Sequence, residues 1–279
     1  MKRKYIALIL VAIALLLSGF LVIKRLSTKE VAENVNNNIN NANINPATNK
    51  PLNLNINSEK TNINTNTAPP NTNHSFEGTP PEITKGNINK KQIIFTFDAG
   101  SGNQSAQKIL EILKKHSLKG TFFLTGQWVK NNEDLTKQIA SAGHEIFNHT
   151  FTHPYLTQIS DAEMVDELKK TDDLIFELTG RHTQPYFRPP YGERNAHILE
   201  VAAKEGYQSV FWTTDALDWK ESEGMTAQAV KDRITSHLSS GAIFLMHVGD
   251  NITGQILDEM INKINNEGYV IVPLSQGVI

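Results

Sequence analysis

The sequence contains no cysteine. That absence excludes a disulfide framework, a thiolate zinc or iron–sulfur site, a cysteine nucleophile and a lipid-modified cysteine behind a leader segment. An excess of one charge is also missing, since 27 Lys and Arg stand against 29 Asp and Glu for a formal net charge of −2. This excludes a strongly basic nucleic-acid binder, although not a local basic patch. No GxGxxG follows the first apolar strand pattern and no GxxxxGK[ST] occurs anywhere, so no nucleotide cofactor is indicated. Apolar residues at 39% and aromatics at 8% are ordinary values, but they average over three unlike segments of the 279-residue chain.

The first segment opens MKRKY and continues with the charge-free run Ile6–Ile23 ahead of Lys24 and Arg25. At about 1.5 Å per residue, a helix over that run covers most of a ~30 Å hydrocarbon layer. A cleaved leader has a shorter apolar stretch and a small-residue cleavage site, whereas this run ends in Phe20, Leu21, Val22 and Ile23. Residues 1–26 are therefore read as an uncleaved signal anchor, a transmembrane helix, with a cleaved leader as the alternative. Lys2, Arg3 and Lys4 hold the amino terminus in the cytoplasm. The expectation is a single-pass protein of the cell membrane whose main domain is extracellular, or a secreted one if the leader is removed. Residues 27–82 include 17 Asn between Asn34 and Asn73. Their scattered Ile and Leu carry too little apolar surface to offset chain entropy, so this segment is expected to be a disordered tether. Charge divides along the same boundary, with 8 basic and 5 acidic residues in 1–82 against 19 and 24 in 83–279.

Residues 83–279 read as one α/β domain. Strand patterns at Gln92–Asp98, Gly120–Gly126, His144–Thr150, Tyr186–Pro190, Tyr207–Asp215, Ala242–Val248 and Tyr269–Leu274 alternate with amphipathic stretches near Asn103–His116, Trp128–Ala142, Asp161–Thr179, Arg194–Glu205, Thr226–Leu238 and Thr253–Asn266. Gly120, Gly143, Gly180, Gly206, Gly241 and Gly268 each follow a helical stretch, where a left-handed C-cap suits a residue without Cβ. Such alternation implies a parallel sheet or barrel with chemistry at the carboxyl ends of its strands.

Those strand ends carry Asp98, His149 with His153, Arg188, Asp215 with Asp218, and His247. The i, i+4 spacing of His149 and His153 puts both imidazoles on one face of a helical turn, where they suit zinc or a similar divalent ion. Thr150 and Thr152 are candidates to cap that turn and Pro154 to end it; the competing reading is a pair of ordinary loop histidines. Asp98 ends an apolar strand, as a general base, a carboxylate beside a metal, or an N-cap for the next helix. Arg188, in FRPPYG, is a candidate to hold a carboxylate ionised, or a structural ion pair beside a rigid turn. His247 ends AIFLMH, where a core histidine competes with a catalytic acid oriented by Asp218. Trp219 is either packing or a platform for a sugar face. His74, His116, His144, His182, His197 and His237 read as structural or surface residues.

In chain order the blocks TFDAG, HTFTH, RPPYG, DALDW and LMH, with GTFFLTG and GHEIFNHT, resemble the NodB-homology polysaccharide deacetylases of carbohydrate esterase family 4. The resemblance runs from about Gln92 to the carboxyl terminus. It implies a distorted (β/α) barrel that removes acetyl groups from sugars with a divalent metal, zinc first and cobalt or nickel as alternatives. By position it implies His149 and His153 as metal ligands and Asp98 as the general base, tethered by Arg188. It further implies the Tyr191 backbone N–H as oxyanion donor, Leu245 in the acetyl-methyl pocket, and Asp218 (Asp215 the alternative) supporting His247 as general acid. One position departs: the second Asp of the family's TFDDG, its third metal ligand, is here Ala99. Extra water, or a neighbour such as Ser101 or Asn103, is left to complete the shell. The expected function is metal-dependent hydrolysis of the N-acetyl groups of amino sugars in a cell-envelope polysaccharide, peptidoglycan first, releasing acetate. Chitin oligomers and poly-N-acetylglucosamine are further substrates to consider. The alternatives are a tethered glycan-binding module without turnover and a purely structural envelope protein, which leaves the polar strand ends unexplained.

Overall fold

The computed structural model describes residues 76–279. The anchor expected at 1–26 and nearly all of the tether expected at 27–82 lie outside the described residues. Among the described residues, no helix is long and apolar enough to cross a membrane.

Eight strands form one parallel sheet: β1 (Gln92–Ala99), β2 (Thr121–Leu124), β3 (Glu145–Asn148), β4 (Tyr186–Phe187), β5 (Gln208–Ser209), β6 (Thr214–Asp215), β7 (Ala242–His247) and β8 (Val270–Val272). Their order is β5-β4-β3-β2-β1-β7-β6, with β8 also paired to β1. β1 is buried throughout because its sequence IIFTFDA is apolar on both faces, as a strand covered on both sides requires. It pairs with β7 from Ile93↔Ala242 to Asp98↔His247. Its other edge takes β8 along residues 92–94 and β2 along 96–99.

Strand alternation sorts β1 into two cores. Ile93, Phe95, Phe97 and Ala99 pack outward into a large cluster with the apolar faces of α1 (Ala106–Lys115) and α7 (Ile252–Asn266). Ile94 faces inward with Phe123, Phe147, Val210 and Ile243. The other helices are α2 (Gly126–Asn131), α3 (Glu133–Ser141), α4 (Asp161–Thr179), α5 (Ala196–Lys204), α6 (Ala227–Ser236) and α8 (Leu274–Gly277). α4 has the bounds that the sequence predicts. Ser160 and Glu163 close a capping box at its start, and Gly180 ends it at φ +69°.

The expected distorted barrel takes the form of a curled parallel half-barrel with β5 and β6 as its ends. Three other expectations are corrected. The strand expected over Tyr207–Asp215 is broken into β5 and β6. Between them the Val210 and Phe211 carbonyls accept from Arg188 Nε and Nη2 at 3.1 Å each instead of from a neighbouring strand. The helix expected over Trp128–Ala142 is two helices, because Asn132 at φ −140°, ψ 45° leaves helical geometry and serves as C-cap of α2 and N-cap of α3. Gly120 is not among the left-handed glycines; it is small because a Cβ there would press on Leu113, Phe97 and Phe122.

Arg188 therefore has a structural share in the seam as well as in the site, being fully buried and paired with Asp98. Arg188→Met strips the seam carbonyls and strands the Asp98 charge, and is expected to cost about 3–5 kcal/mol. Urea denaturation measures it, and adding Asp98→Leu is expected to return part of the loss. A single variant within 1 kcal/mol (roughly one-fifth to one-third of the predicted ~3–5 kcal/mol) of the parent would contradict this view of the seam.

Candidate active site

The carboxyl ends of the strands surround a cleft of about 640 Å³, within the range of about 300–1,000 Å³ in which proteins hold small ligands. Asp98, His149, His153, Tyr191, Trp219 and His247 are among its lining residues. The sheet explains this convergence. Asp98 and His247 are register partners on adjacent parallel strands, so both side chains leave the sheet on one face.

Asp98 is divided between two partners. Its Oδ1 accepts from Arg188 Nη1, which also donates to Thr96 Oγ1 at 3.0 Å. Oδ2 is left facing His149 Nε2 at 3.5 Å. Burial pushes the Asp98 carboxyl above the ordinary carboxylate range, opposed by the Arg188 guanidinium and then by His247. Asp98 caps no helix, since the residue before α1 is Ser105.

The two histidines meet, but on no helical turn. Residues 149–153 form an irregular loop in which Thr150 and His153 take φ +65° and +62°. Thr152 Oγ1 donates to Glu167 at 2.9 Å, and Thr150 Oγ1 has no partner, so neither threonine caps a turn. His149 Nδ1 donates to the Arg188 carbonyl at 2.8 Å, which fixes its tautomer and leaves the Nε2 lone pair free. Burial drops His149 to about 3, and burial with the neighbouring His149 drops His153 to about 3. Both rings are neutral at pH 7, and their Nε2 atoms lie 3.2 Å apart. Two nitrogens each about 2.0–2.1 Å from one zinc ion stand about 3–3.4 Å apart. This donor pair therefore fits a divalent metal, with Asp98 Oδ2 beside it. Ala99 packs its methyl in the outer core and offers no ligand atom. Ser101 lines the cleft, whereas Asn103 is engaged by Asn132 at 2.6 Å.

His247 is held by Asp218 alone. Its Nδ1 is 2.9 Å from Asp218 Oδ1, and its backbone N–H donates to Oδ2 at 2.7 Å. Burial opposes a charge on His247, but the hydrogen bond and charge of Asp218 outweigh it and lift the imidazole to about 9. Asp215 instead accepts from Leu217 N at 2.8 Å and Trp219 Nε1 at 3.2 Å. That bond fixes Trp219, which remains 45% exposed at the rim. Tyr191 sits at φ +58° in the turn after Pro190 and stacks on Tyr155, ring centres 4.1 Å apart. Leu245, buried, lines the cleft and is the register partner of Asp215.

The other described histidines are engaged elsewhere. His116, His182 and His197 pair with Asp258, Asp172 and Asp161. His237 Nδ1 lies 2.8 Å from the Arg233 carbonyl. His144 is buried, accepts from Gly120 N–H at 3.1 Å and is pushed down to about 4. His74 lies outside the described residues. An ionisable cleft residue escaped the sequence reading. Asp250 is 8% exposed, and its Oδ2 has no partner. Among the described residues, its carboxylate forms with Asp218 and His247 a set of ligand atoms all within 4.8 Å of one another. Burial and the Asp218 charge raise Asp250 to about 7. The only signal for it was an acid three residues past a strand-end histidine.

Residues 85–210 match the family model described as polysaccharide deacetylase. The chain is 36% identical over 184 residues to the peptidoglycan-N-acetylmuramic acid deacetylase PdaA of Bacillus subtilis, covering 66% of this chain and 70% of that protein. It is 33% identical over 193 residues to the peptidoglycan-N-acetylglucosamine deacetylase of Bacillus cereus, covering 68% and 69%. The solved structure of Bacillus subtilis PdaA, a family 4 carbohydrate esterase, superposes with a TM-score of 0.67 at 34% identity, covering 70% of this chain and 84% of that one. A family 4 pseudoenzyme of Bacillus anthracis superposes with a TM-score of 0.68 at 35% identity, covering 72% and 69%.

The elevated His247 depends on Asp218. Asp218→Asn is expected to bring His247 from about 9 down to or below its unperturbed value of about 6.5, read by NMR titration of the ring. An unchanged midpoint would remove Asp218 from this role.

Proposed function

Because this chain belongs to the polysaccharide deacetylase family, we propose that it hydrolyses the N-acetyl groups of amino sugars in peptidoglycan, with a divalent metal, zinc first, held by His149 and His153. The observation that carries the reading is the pair of neutral imidazoles whose Nε2 atoms lie 3.2 Å apart beside Asp98, with a protonated His247 in the same cleft.

A metal bound there supplies Lewis acidity to the attacking water and to the acetyl carbonyl. Asp98, oriented through Oδ1 by Arg188, accepts the water's proton on Oδ2. The Tyr191 N–H donates to the oxyanion as the carbonyl carbon becomes tetrahedral. Leu245 bounds the space for the acetyl methyl, and Trp219 offers its exposed face to a sugar ring. His247, charged below about 9, gives its proton to the sugar nitrogen as the C–N bond breaks, leaving acetate and a free amine.

The relatives, named for deacetylating peptidoglycan, support peptidoglycan over other acetylated glycans. The charge-free run Ile6–Ile23 supports a membrane-anchored domain facing the wall. Ala99 is the observation that favours the second reading, a glycan-binding module without turnover. The intact Asp98–Arg188 and His247–Asp218 pairs weigh against it, because binding alone requires neither.

Acetate release from peptidoglycan glycan strands, with and without added zinc, cobalt or nickel, tests the proposal. Asp98→Asn and His247→Ala are each expected to lower the rate about 10²–10⁴-fold. Wild-type activity is expected to fall as pH rises through about 9, since His247 then loses its proton. Retained glycan binding with no acetate under any metal would establish the binding module instead.

A further inference from the structure

The loop that carries the two imidazoles is held in a conformation its own residues do not favour. Thr150 and His153 both lie in the left-handed region, at φ +65° and +62°, which a β-branched residue in particular avoids. Such backbone persists only where its surroundings over-determine it. Two carbonyls of the loop are taken by the first amides of α2, Gly126 N to Thr150 O at 3.0 Å and Gln127 N to Phe151 O at 2.9 Å. Thr150 N–H donates to Asn148 Oδ1 at 2.9 Å.

The remaining holds converge on one side chain. Glu167, in the second turn of α4, accepts from Phe151 N at 2.8 Å and Thr152 N at 2.7 Å through Oε2, and from Thr152 Oγ1 at 2.9 Å through Oε1. These three bonds fix the residues midway between His149 and His153. The next residue of the helix repeats the grip from the other side, since Asn148 Nδ2 donates to the Leu168 carbonyl at 2.9 Å. Asn148 also reaches Thr183 Oγ1 and Tyr207 OH at 3.1 Å each. Glu167 is not among the residues lining the cleft and touches neither imidazole.

We propose that Glu167 is a positioning residue whose carboxylate fastens the 151–152 backbone and so holds the His149 and His153 imidazoles convergent for a divalent cation. The proposal rests on the reading that these imidazoles bind a metal. A charged acceptor shared by two amides and a hydroxyl is stronger than the water that would replace it, and three bonds on two consecutive residues leave the loop no hinge between its ligands. Losses of partners outside the ligand shell typically weaken metal binding about 10–100-fold.

The test compares the full chain in detergent with its Glu167→Ala and Glu167→Gln variants. Zinc affinity is measured by competition with a chromophoric chelator, and the melting temperature of each metal-free protein is recorded alongside. Gln keeps one oxygen for the two amides and an amide group for the Thr152 hydroxyl. Glu167→Ala is expected to weaken zinc binding about 10–100-fold and Glu167→Gln by a smaller factor, with metal-free melting temperatures close to wild type. Zinc affinity in Glu167→Ala equal to wild type overturns the proposal. So does a loss of affinity that appears equally in Glu167→Gln and tracks a lowered metal-free melting temperature, which marks a general structural role. A wild-type chain that binds no zinc overturns the metal reading itself, and the positioning role falls with it.

Discussion

Arg188 carries its guanidinium into the interior of a parallel sheet with no exposure to solvent, and much of the site follows from what it meets there. Nε and Nη2 bind the Val210 and Phe211 carbonyls, where the strand between β5 and β6 is interrupted. Nη1 binds Asp98 and Thr96, and the planar group lies 4.1 Å from the centre of the Phe123 ring. The Arg188 backbone carbonyl receives His149 Nδ1. One residue thus fills the sheet seam, aims the carboxylate and sets the tautomer of a metal-ligand candidate. A buried ion pair is costly unless its donors and acceptors are satisfied, and here all three guanidinium nitrogens are bonded, through four of the five N–H groups. Lys at this position, with a compact three-donor ammonium and no planar fork, would not span the seam carbonyls and Asp98 together.

Around that pair the cleft separates charge. On one side, burial empties the two imidazoles of protons and keeps their lone pairs available. On the other, an imidazole is held charged by a carboxylate that is itself fully buried. The same residue type therefore does opposite work at the ends of β3 and β7, two strands lying between them, with the difference set by its partner: a carbonyl for His149, a carboxylate for His247. Backbone strain concentrates at the same place. Of the five described non-glycine residues with positive φ, Thr150, His153, Tyr191 and Leu217 lie in or beside the cleft loops, and only Ser117 lies elsewhere. Regular structure supplies the strand ends, and strained loops turn side chains from those ends into the cleft. Close approach matters as well, for a Cβ on Gly249 would overlap the Ser101 carbonyl.

The parts of this arrangement legible in the sequence are those written in short-range pattern. Apolar strands ending in Asp98 and His247 announced both their burial and their polar tips, and α4 announced its length and its glycine stop. The pairing of His149 with His153 was visible, but the helical turn assigned to it was not real. The conformation of that loop is decided by Glu167, Asn148 and the start of α2, none of which is marked by spacing. Glu167 looks in sequence like any acid on a solvated helix face. Asp250 looks like a loop acid, and its burial beside Asp218 depends on how α7 packs. The break after Val210 was hidden because the residues there are as apolar as a strand; their N–H groups still pair with Phe187 and Ile83, but Arg188 from a distant segment takes their carbonyls. The helix expected over Trp128–Ala142 failed for a similar reason: the apolar spacing continues across Asn132 although the backbone does not. Ala99 was read correctly as lacking a ligand atom, and the fold places its methyl in the outer core, away from the cleft.

Anomalous diffraction at the zinc edge, from crystals of this chain grown with zinc, tests most directly whether His149 and His153 hold the metal despite Ala99 while Asp218, His247 and Asp250 stay metal-free. One strong peak about 2.0–2.1 Å from Nε2 of both His149 and His153 is expected. A principal peak among Asp218, His247 and Asp250, or no peak beside the paired imidazoles, would contradict it.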